Sequence, residues 1–293
     1  MATPKTTPKP RRGNKPLSAR LLMLVGRLLP GDKARTWCYL TLIAKPRKLA
    51  RSLLFDFYRY DHVYEVLGEA RKRYAGDFSI LEFGSADGYS LTKMLYATRY
   101  TGMAERVTVH GFDTFEGMPE PEDEHDRDQV TGDGWVKGQF KGRYEHLDDY
   151  CSQKYGNHQL HRGMFDETLT PEFLESLKQR PPILVWIDCD YYSSTRCVFE
   201  RLLPHLPSGC VLYFDDVDFN YGSPLTGEMQ AIQELNAGGF GPGMSLVPDL
   251  GLSLFSRRVY RFVTTEPRVR YEPLARSNDA SHVRQRTNDS PLP

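Results

Sequence analysis

Residues Ser79 to Leu95, SILEFGSADGYSLTKML, constrain the chain more than any other stretch. Ile80, Leu81 and Phe83 form a short apolar run that carries an acid, Glu82, just before Gly84. Gly84-Ser85-Ala86-Asp87-Gly88 follows, and then Leu91, Met94 and Leu95 recur at helical spacing. The pattern predicts a strand, a glycine loop and a helix. Glycine suits a backbone that must turn sharply and admit a ligand close to it. The free N–H groups and positive dipole end of the new helix favour something electron-rich. The spacing E-x-G-x-x-x-G is looser than the dinucleotide fingerprint and equally describes an ordinary βα turn. The rest of the chain has to decide between them.

Further strands and helices alternate with this unit. Tyr60 to Tyr74 reads as a helix with Val63, Val66, Leu67 and Ala70 on one face, and Val107 to Phe112 as a strand ending at Asp113. Leu160 to Phe165 reads as a third strand, Pro171 to Lys178 as a short helix, and Ile183 to Ile187 as a wholly apolar strand running into Asp188-Cys189-Asp190. Ser193 or Ser194 is the expected cap of a helix through Val198, Leu202 and Leu203. A strand from Cys210 to Phe214 then ends in Asp215-Asp216, and Gly227 to Asn236 is helical. Met244 to Val263 gives two strands, a hairpin turning near Gly251 or Ser256-Arg257. This alternation argues an α/β fold, a doubly wound and mostly parallel seven-stranded sheet with a closing antiparallel hairpin. Pro119 to Asp149 is long, acidic and punctuated by glycine; Trp135 and Phe140 within it favour a lid.

Charge divides the chain unevenly, although the net charge is zero. Residues 1–60 hold fourteen Lys or Arg against Asp32 and Asp56, a balance of +12 that the remainder cancels. Met1 to Pro16 has nothing to bury and is expected to be a disordered basic arm. Residues 17–59 read as a helical basic and apolar extension, a cap over the main domain or a peripheral contact with an anionic membrane surface or an acidic partner. The main domain is expected over 60–264 and a disordered polar tail over 265–293. Nucleic acid is disfavoured, because few aromatics interleave the basic residues. Tyrosines and arginines between Tyr58 and Tyr64 allow a homo-oligomer. Cys38, Cys151, Cys189, Cys197 and Cys210 are odd in number and show no paired short spacing, so free thiols in a reducing cytoplasm are expected. No run reaches the roughly 20 apolar residues of a spanning helix, and no small-residue cleavage site marks a secretory signal.

Open α/β sheets bind ligands beyond the carboxyl ends of their strands. Here those ends carry Glu82, Asp113, Asp188, Asp190, Asp215 and Asp216. Core packing explains none of them. Four acids from two strand ends repel one another unless a cation sits between them, and oxygen ligands favour magnesium, manganese or calcium over zinc. Asp113, across from the glycine loop, is placed to take the ribose hydroxyls of an adenosine-containing ligand.

The motifs ILEFGSADGYS, GFDTFEGMP, GMFDETL, WIDCDYYSST and LYFDDV resemble, in order, those of the macrocin and mycinamicin sugar O-methyltransferases. The resemblance spans roughly Glu82 to Leu235 and includes the separation of Asp188 from Asp215 by 27 residues. It implies a Rossmann-like class I fold, S-adenosylmethionine as methyl donor and Mg²⁺ or Mn²⁺ as metal. Carried over to this chain, Asp188, Asp215 and Asp216 would hold the metal, and Asp190 would be the general base. Glu82, Gly84, Ser85, Gly88, Asp113 and Asp188 would line the cofactor site. The implied acceptor is a hydroxyl of a sugar, glycan or other small molecule with a vicinal diol. Residues 1–55 do not match the family's usual start, which helps form the substrate lid, and Val217-Asp218-Phe219-Asn220-Tyr221 follows the Asp pair where a tyrosine is expected at once. Two other readings remain. Asp188-Cys189-Asp190 is also the D-x-D motif of metal-dependent glycosyltransferases, although a glycine loop followed by GFDTFEG has no use there. A non-catalytic module on the same fold is the other, and the intact set of acids speaks against it.

Overall fold

Two runs in which every side chain is buried, Phe78–Phe83 (β1) and Pro182–Ile187 (β4), pair in parallel at the middle of a seven-stranded sheet. The coordinates are a computed structural model describing residues 31–46, 49, 59–129, 131–132, 134–252 and 258–274. Around the central pair lie β2 (Val107–Asp113), β3 (His158–Arg162), β5 (Val211–Phe214), β6 (Met244–Pro248) and β7 (Val259–Thr264). The order is β3-β2-β1-β4-β5-β7-β6, with β1 to β5 parallel and β7 antiparallel to both its neighbours. This is the expected mostly parallel sheet closed by an antiparallel hairpin.

Side chains alternate across the strands, so each strand feeds two cores. On one face, Leu81, Phe83, Val185, Ile187 and Phe214 pack against helices α7 (Tyr192–Leu202) and α8 (Gly227–Asn236). On the other, Phe78, Ile80, Leu184, Trp186 and Tyr213 meet α2 (Asp61–Arg73) and α3 (Tyr89–Tyr100). Val63, Val66, Leu67 and Ala70 of α2 are buried, as their spacing required. Helix α4 is Tyr144–Lys154, and α5 (Phe165–Thr168) and α6 (Pro171–Ser176) are short.

Some boundaries differ from expectation. The third strand runs over His158–Arg162 rather than Leu160 to Phe165. It is an edge strand paired only with β2, so it needs little apolar content, and Phe165 instead opens α5 with its ring edge-on to Phe83 at 5.3 Å. Neither Ser193 nor Ser194 caps α7. The helix starts at Tyr192, and Asp126 from the long loop accepts both the Ser193 N–H and the Ser193 hydroxyl, each at 2.8 Å. The long loop ends earlier than expected, at the start of α4. Beyond Thr264 the chain stays packed: Val269 is buried, Tyr271 donates to the Pro182 carbonyl and stacks on Tyr74, and Pro273 bridges Tyr74. All five cysteines are free.

The chain divides into two units, residues 1–56 and 57–293. Within the described part of the first, helix α1 (Gly31–Cys38) continues into a π-helical turn, Tyr39–Ala44, and neither buries a residue. No helix among the described residues is long and apolar enough to cross a membrane. The expected basic arm 1–16, Tyr58, the Ser256-Arg257 turn and most of the polar tail lie outside the described residues.

Candidate active site

Register builds the site. Phe83 pairs with Phe112 and with Ile187, and Ile187 pairs with Phe214. The next residue of each strand, or its last, therefore falls in one row along the carboxyl edge: Gly84, Asp113, Asp188 and Asp215. Strand order reverses between β1 and β4, which opens the crevice where such sheets bind ligands. A cavity of about 610 Å³ occupies it, lined by Gly84, Ser85, Asp87 and Asp113 on one side and by Asp188, Asp190, Asp215 and Asp216 on the other.

Gly84 adopts φ +94°, and a Cβ there would drive into the Asp188 carbonyl oxygen, so no side chain fits between β1 and β4. Gly88, in the left-handed region at φ +77°, starts α3 with its Cα against Leu147. Glu82 is fully buried beneath the loop, not in the cavity wall. Its Oε2 accepts the Ser85 hydroxyl at 2.6 Å, while Oε1 is buried without a hydrogen-bond partner. Burial pushes Glu82 up to about 7, against the pull of the Ser85 and Ser90 hydroxyls. Asp113 accepts the Ala86 N–H at 2.8 Å and the Phe115 N–H at 2.5 Å, which locks the loop to the end of β2. Burial raises its pKa and those N–H groups draw it back. Each of its oxygens still has acceptor capacity for a ligand in the cavity. Of the six expected cofactor residues, Gly84, Ser85, Asp113 and Asp188 line the cavity, and Glu82 and Gly88 support it from behind.

Asp188, Asp215 and Asp216 come together as the sequence suggested, with one oxygen of each within 4.8 Å of the others. Asp190 joins them at φ +60°, a conformation that costs a non-glycine residue energy and is found where function over-determines the backbone. Burial and the neighbouring carboxylates raise Asp188, Asp190 and Asp216, and Asp190 and Asp216 are hydrogen-bonded to each other. Carboxyl groups this close repel one another when ionised, which favours a cation among them.

Several participants were not legible in the sequence. Arg59 forms an ion pair with Asp215 Oδ2 and lies 3.7 Å from Asp188 Oδ2. Asp215 Oδ1 accepts the Tyr213 hydroxyl at 2.8 Å and faces Arg258 at 3.2 Å. Trp186 donates its indole N–H to Asp188 Oδ2 at 3.2 Å. Glu228, fully buried in α8, accepts the Asp216 N–H at 2.9 Å. Burial, and then the surrounding carboxylates, raise its pKa well above the usual range. The donor set fits a hard divalent cation: the acids are close, oxygen-only and already draw a guanidinium.

The long loop closes over this edge. Met118 exchanges backbone bonds with Gly138 and Gln139, and Thr226 donates to the carbonyls of His125 and Arg127, at 2.6 Å each. Trp135 packs at a tilt on Phe219, 4.6 Å between ring centres, and meets Tyr191 edge-on, and it lines the cavity together with Phe140 and Lys141.

Residues 81–217 match a family described as a methyltransferase domain. No curated protein matches the chain. Among solved structures, a calicheamicin methyltransferase is 22% identical, with 90% of this chain and 99% of that chain covered and a TM-score of 0.52. The O-methyltransferase NovP is 19% identical, with 71% of this chain and 80% of that one covered and a TM-score of 0.53. Likeness at these identities establishes a shared fold. Strand order, reversed β7 and glycine loop give the second unit the α/β fold shared with these methyltransferases, and residues 81–217 within it are similar to a methyltransferase domain.

Proposed function

We propose that the protein is an S-adenosylmethionine-dependent O-methyltransferase of the macrocin type, acting on a hydroxyl of a sugar or other small molecule that carries a vicinal diol. The observation that carries this reading is the row Gly84, Asp113, Asp188 and Asp215, with Asp190 and Asp216 beside it, at the switch point of a methyltransferase domain. Two proteins of the same fold, a calicheamicin methyltransferase and an O-methyltransferase, lend it support.

Charge favours the donor. Six carboxylates line the cavity against Arg59 and Lys141, a surface that suits a cationic sulfonium and repels a nucleotide diphosphate. S-adenosylmethionine, when bound, supplies a methyl group on positively charged sulfur, and a divalent ion held by Asp188, Asp215 and Asp216 would polarise an acceptor hydroxyl. The chain's own residues do the rest. Asp113, pinned by Ala86 and Phe115, presents its carboxylate where the ribose hydroxyls belong, and Ser85 shapes the adjoining loop. Asp190, buried and held in an unfavourable backbone conformation, is the base that takes the hydroxyl proton. Trp135, Phe140 and the loop that carries them exclude water from the acceptor side.

Calorimetric titration with S-adenosylhomocysteine, with and without Mg²⁺, tests the reading. Micromolar binding to the wild type and loss of at least about tenfold in Asp113→Ala is expected. Absence of binding under both conditions would overturn it and redirect attention to nucleotide sugars.

A further inference from the structure

The acids at the ends of β4 and β5 already hold a cation that belongs to the chain. Arg59 stands just before α2 and extends one nitrogen, Nη2, to Asp215 Oδ2 and toward Asp188 Oδ2. Its guanidinium lies over the Trp186 ring at 5.7 Å and near the Tyr60 ring at 5.9 Å, and its side chain is only 19% exposed. Burial works against its charge, and Asp215, Tyr213, Tyr60 and Asp188 together more than reverse that, so Arg59 remains an arginine cation. The other oxygen of Asp215 is occupied by Tyr213 and Arg258. Asp188 Oδ2 also receives the Trp186 indole N–H. Two of the acids that would hold a divalent ion thus turn an oxygen each, Asp215 Oδ2 and Asp188 Oδ2, toward Arg59.

From this geometry we infer that Arg59 is a resident counter-cation that a divalent ion must displace, and that it sets the metal affinity of the site. The inference rests on the reading of Asp188, Asp215 and Asp216 as a metal site. A Mg²⁺ or Mn²⁺ ion needs its carboxylate oxygens at close to 2.1 Å, and a guanidinium on the same oxygens would place like charges in contact. Arg59 therefore leaves the oxygens when the ion arrives, and the face of Trp186 offers its guanidinium a favourable place alongside. Until then it compensates carboxylates that would otherwise repel one another. Arg258 pairs with Asp218, the Asp215 main chain and Asp215 Oδ1, so it holds Asp215 by the oxygen that Arg59 does not use. Arg59 is on this account a positioning and selectivity residue for the metal, not a catalytic one.

Mn²⁺ binding to the full chain, followed by calorimetry and by loss of the free-ion electron paramagnetic resonance signal, tests this on wild type, Arg59→Gln and Arg59→Lys. Arg59→Gln should bind Mn²⁺ about tenfold more tightly than wild type, because the competing charge is gone and the polar contact is kept. Arg59→Lys, which keeps the charge but lacks the planar fork, should fall between them. Mg²⁺ should also raise the melting temperature of Arg59→Gln more than that of wild type. Equal or weaker Mn²⁺ binding in Arg59→Gln overturns the inference, as does absence of Mn²⁺ binding in all three proteins. Titrating S-adenosylhomocysteine into the same samples separates the two readings. Failure of that ligand to bind, with the Mn²⁺ ranking intact, refutes the methyltransferase proposal and leaves the role of Arg59 standing.

Discussion

Asp190 shows how much one residue can reveal. Its position two residues after Asp188 is plain in the sequence, and its role by resemblance is that of base, but its left-handed backbone is not readable from residue type. The strain is local, held by the Tyr191 N–H turning back on the Cys189 carbonyl at 2.6 Å and by the hydrogen bond to Asp216. Asp190→Asn keeps the shape and removes the basic oxygen. Methyl transfer should fall about 10²- to 10⁴-fold while S-adenosylhomocysteine affinity stays within about threefold, measured by single-turnover assay and calorimetry. Arg59 is the opposite case. In the sequence it is one of fourteen basic residues in a cationic segment, and only the folded chain sets it against Asp215 and not in solvent. Carboxylates at strand ends announce themselves because nothing in a core wants them; an arginine that answers them from more than a hundred residues away gives no such signal.

Among the elements, β4 and β5 are legible as unbroken apolar runs and β1 and β2 as largely apolar ones, because all four lie inside the sheet with both faces covered. The edge strand β3 was displaced by two residues because HQLHR carries one aliphatic side chain, and the more apolar Phe165 served a different core. The long loop was recognised as a lid from Trp135 and Phe140, but its fastenings were not. Asp126 at the start of α7, and Thr226 before α8, act across 67 and about a hundred residues of chain. Trp135 is the apolar fastening, resting on Phe219 and Tyr191. Removing it in Trp135→Ala forfeits an aromatic contact worth about 1–1.5 kcal/mol, so tryptic cleavage at Lys137 and Lys141 should accelerate roughly tenfold. Unchanged cleavage would mean that the polar fastenings hold the loop without the indole.

Across the whole molecule, buried histidines and a buried glutamate answer oppositely to acid. His62 lies buried against the rings of Trp186 and Tyr213, at 5.6 and 4.7 Å, and burial lowers its pKa to about 3. His110 is similarly lowered to about 3 by burial, with His161 hydrogen-bonded to it at 3.1 Å. A histidine held neutral contributes stability that is fully present above its unfolded pKa of 6.5 and is lost as pH falls from there toward 3. Each costs up to about 1.4 kcal/mol per pH unit across that window. Glu82 runs the other way: its folded pKa is raised, so its contribution is present below 4.5 and lost as pH rises through about 7. A difference measurement removes that opposing slope. His62→Phe, which preserves the aromatic stack, should show urea stability that declines less steeply than wild type between pH 6.5 and 4, by the equivalent of one proton. Parallel curves would place the titrating group elsewhere.

Because the acids stand one residue beyond strands in fixed register, inserting or deleting a single residue inside β4 or β5 would turn Asp188 or Asp215 to the opposite face of the sheet. Length change is confined to the segments beyond that edge. The described part of residues 116–143 is fastened to the helix starts that follow β4 and β5 and to Phe219, not to the strands themselves. Descendants of this chain can thus vary in the loop that covers the cavity, while the register of the acids below is inherited intact.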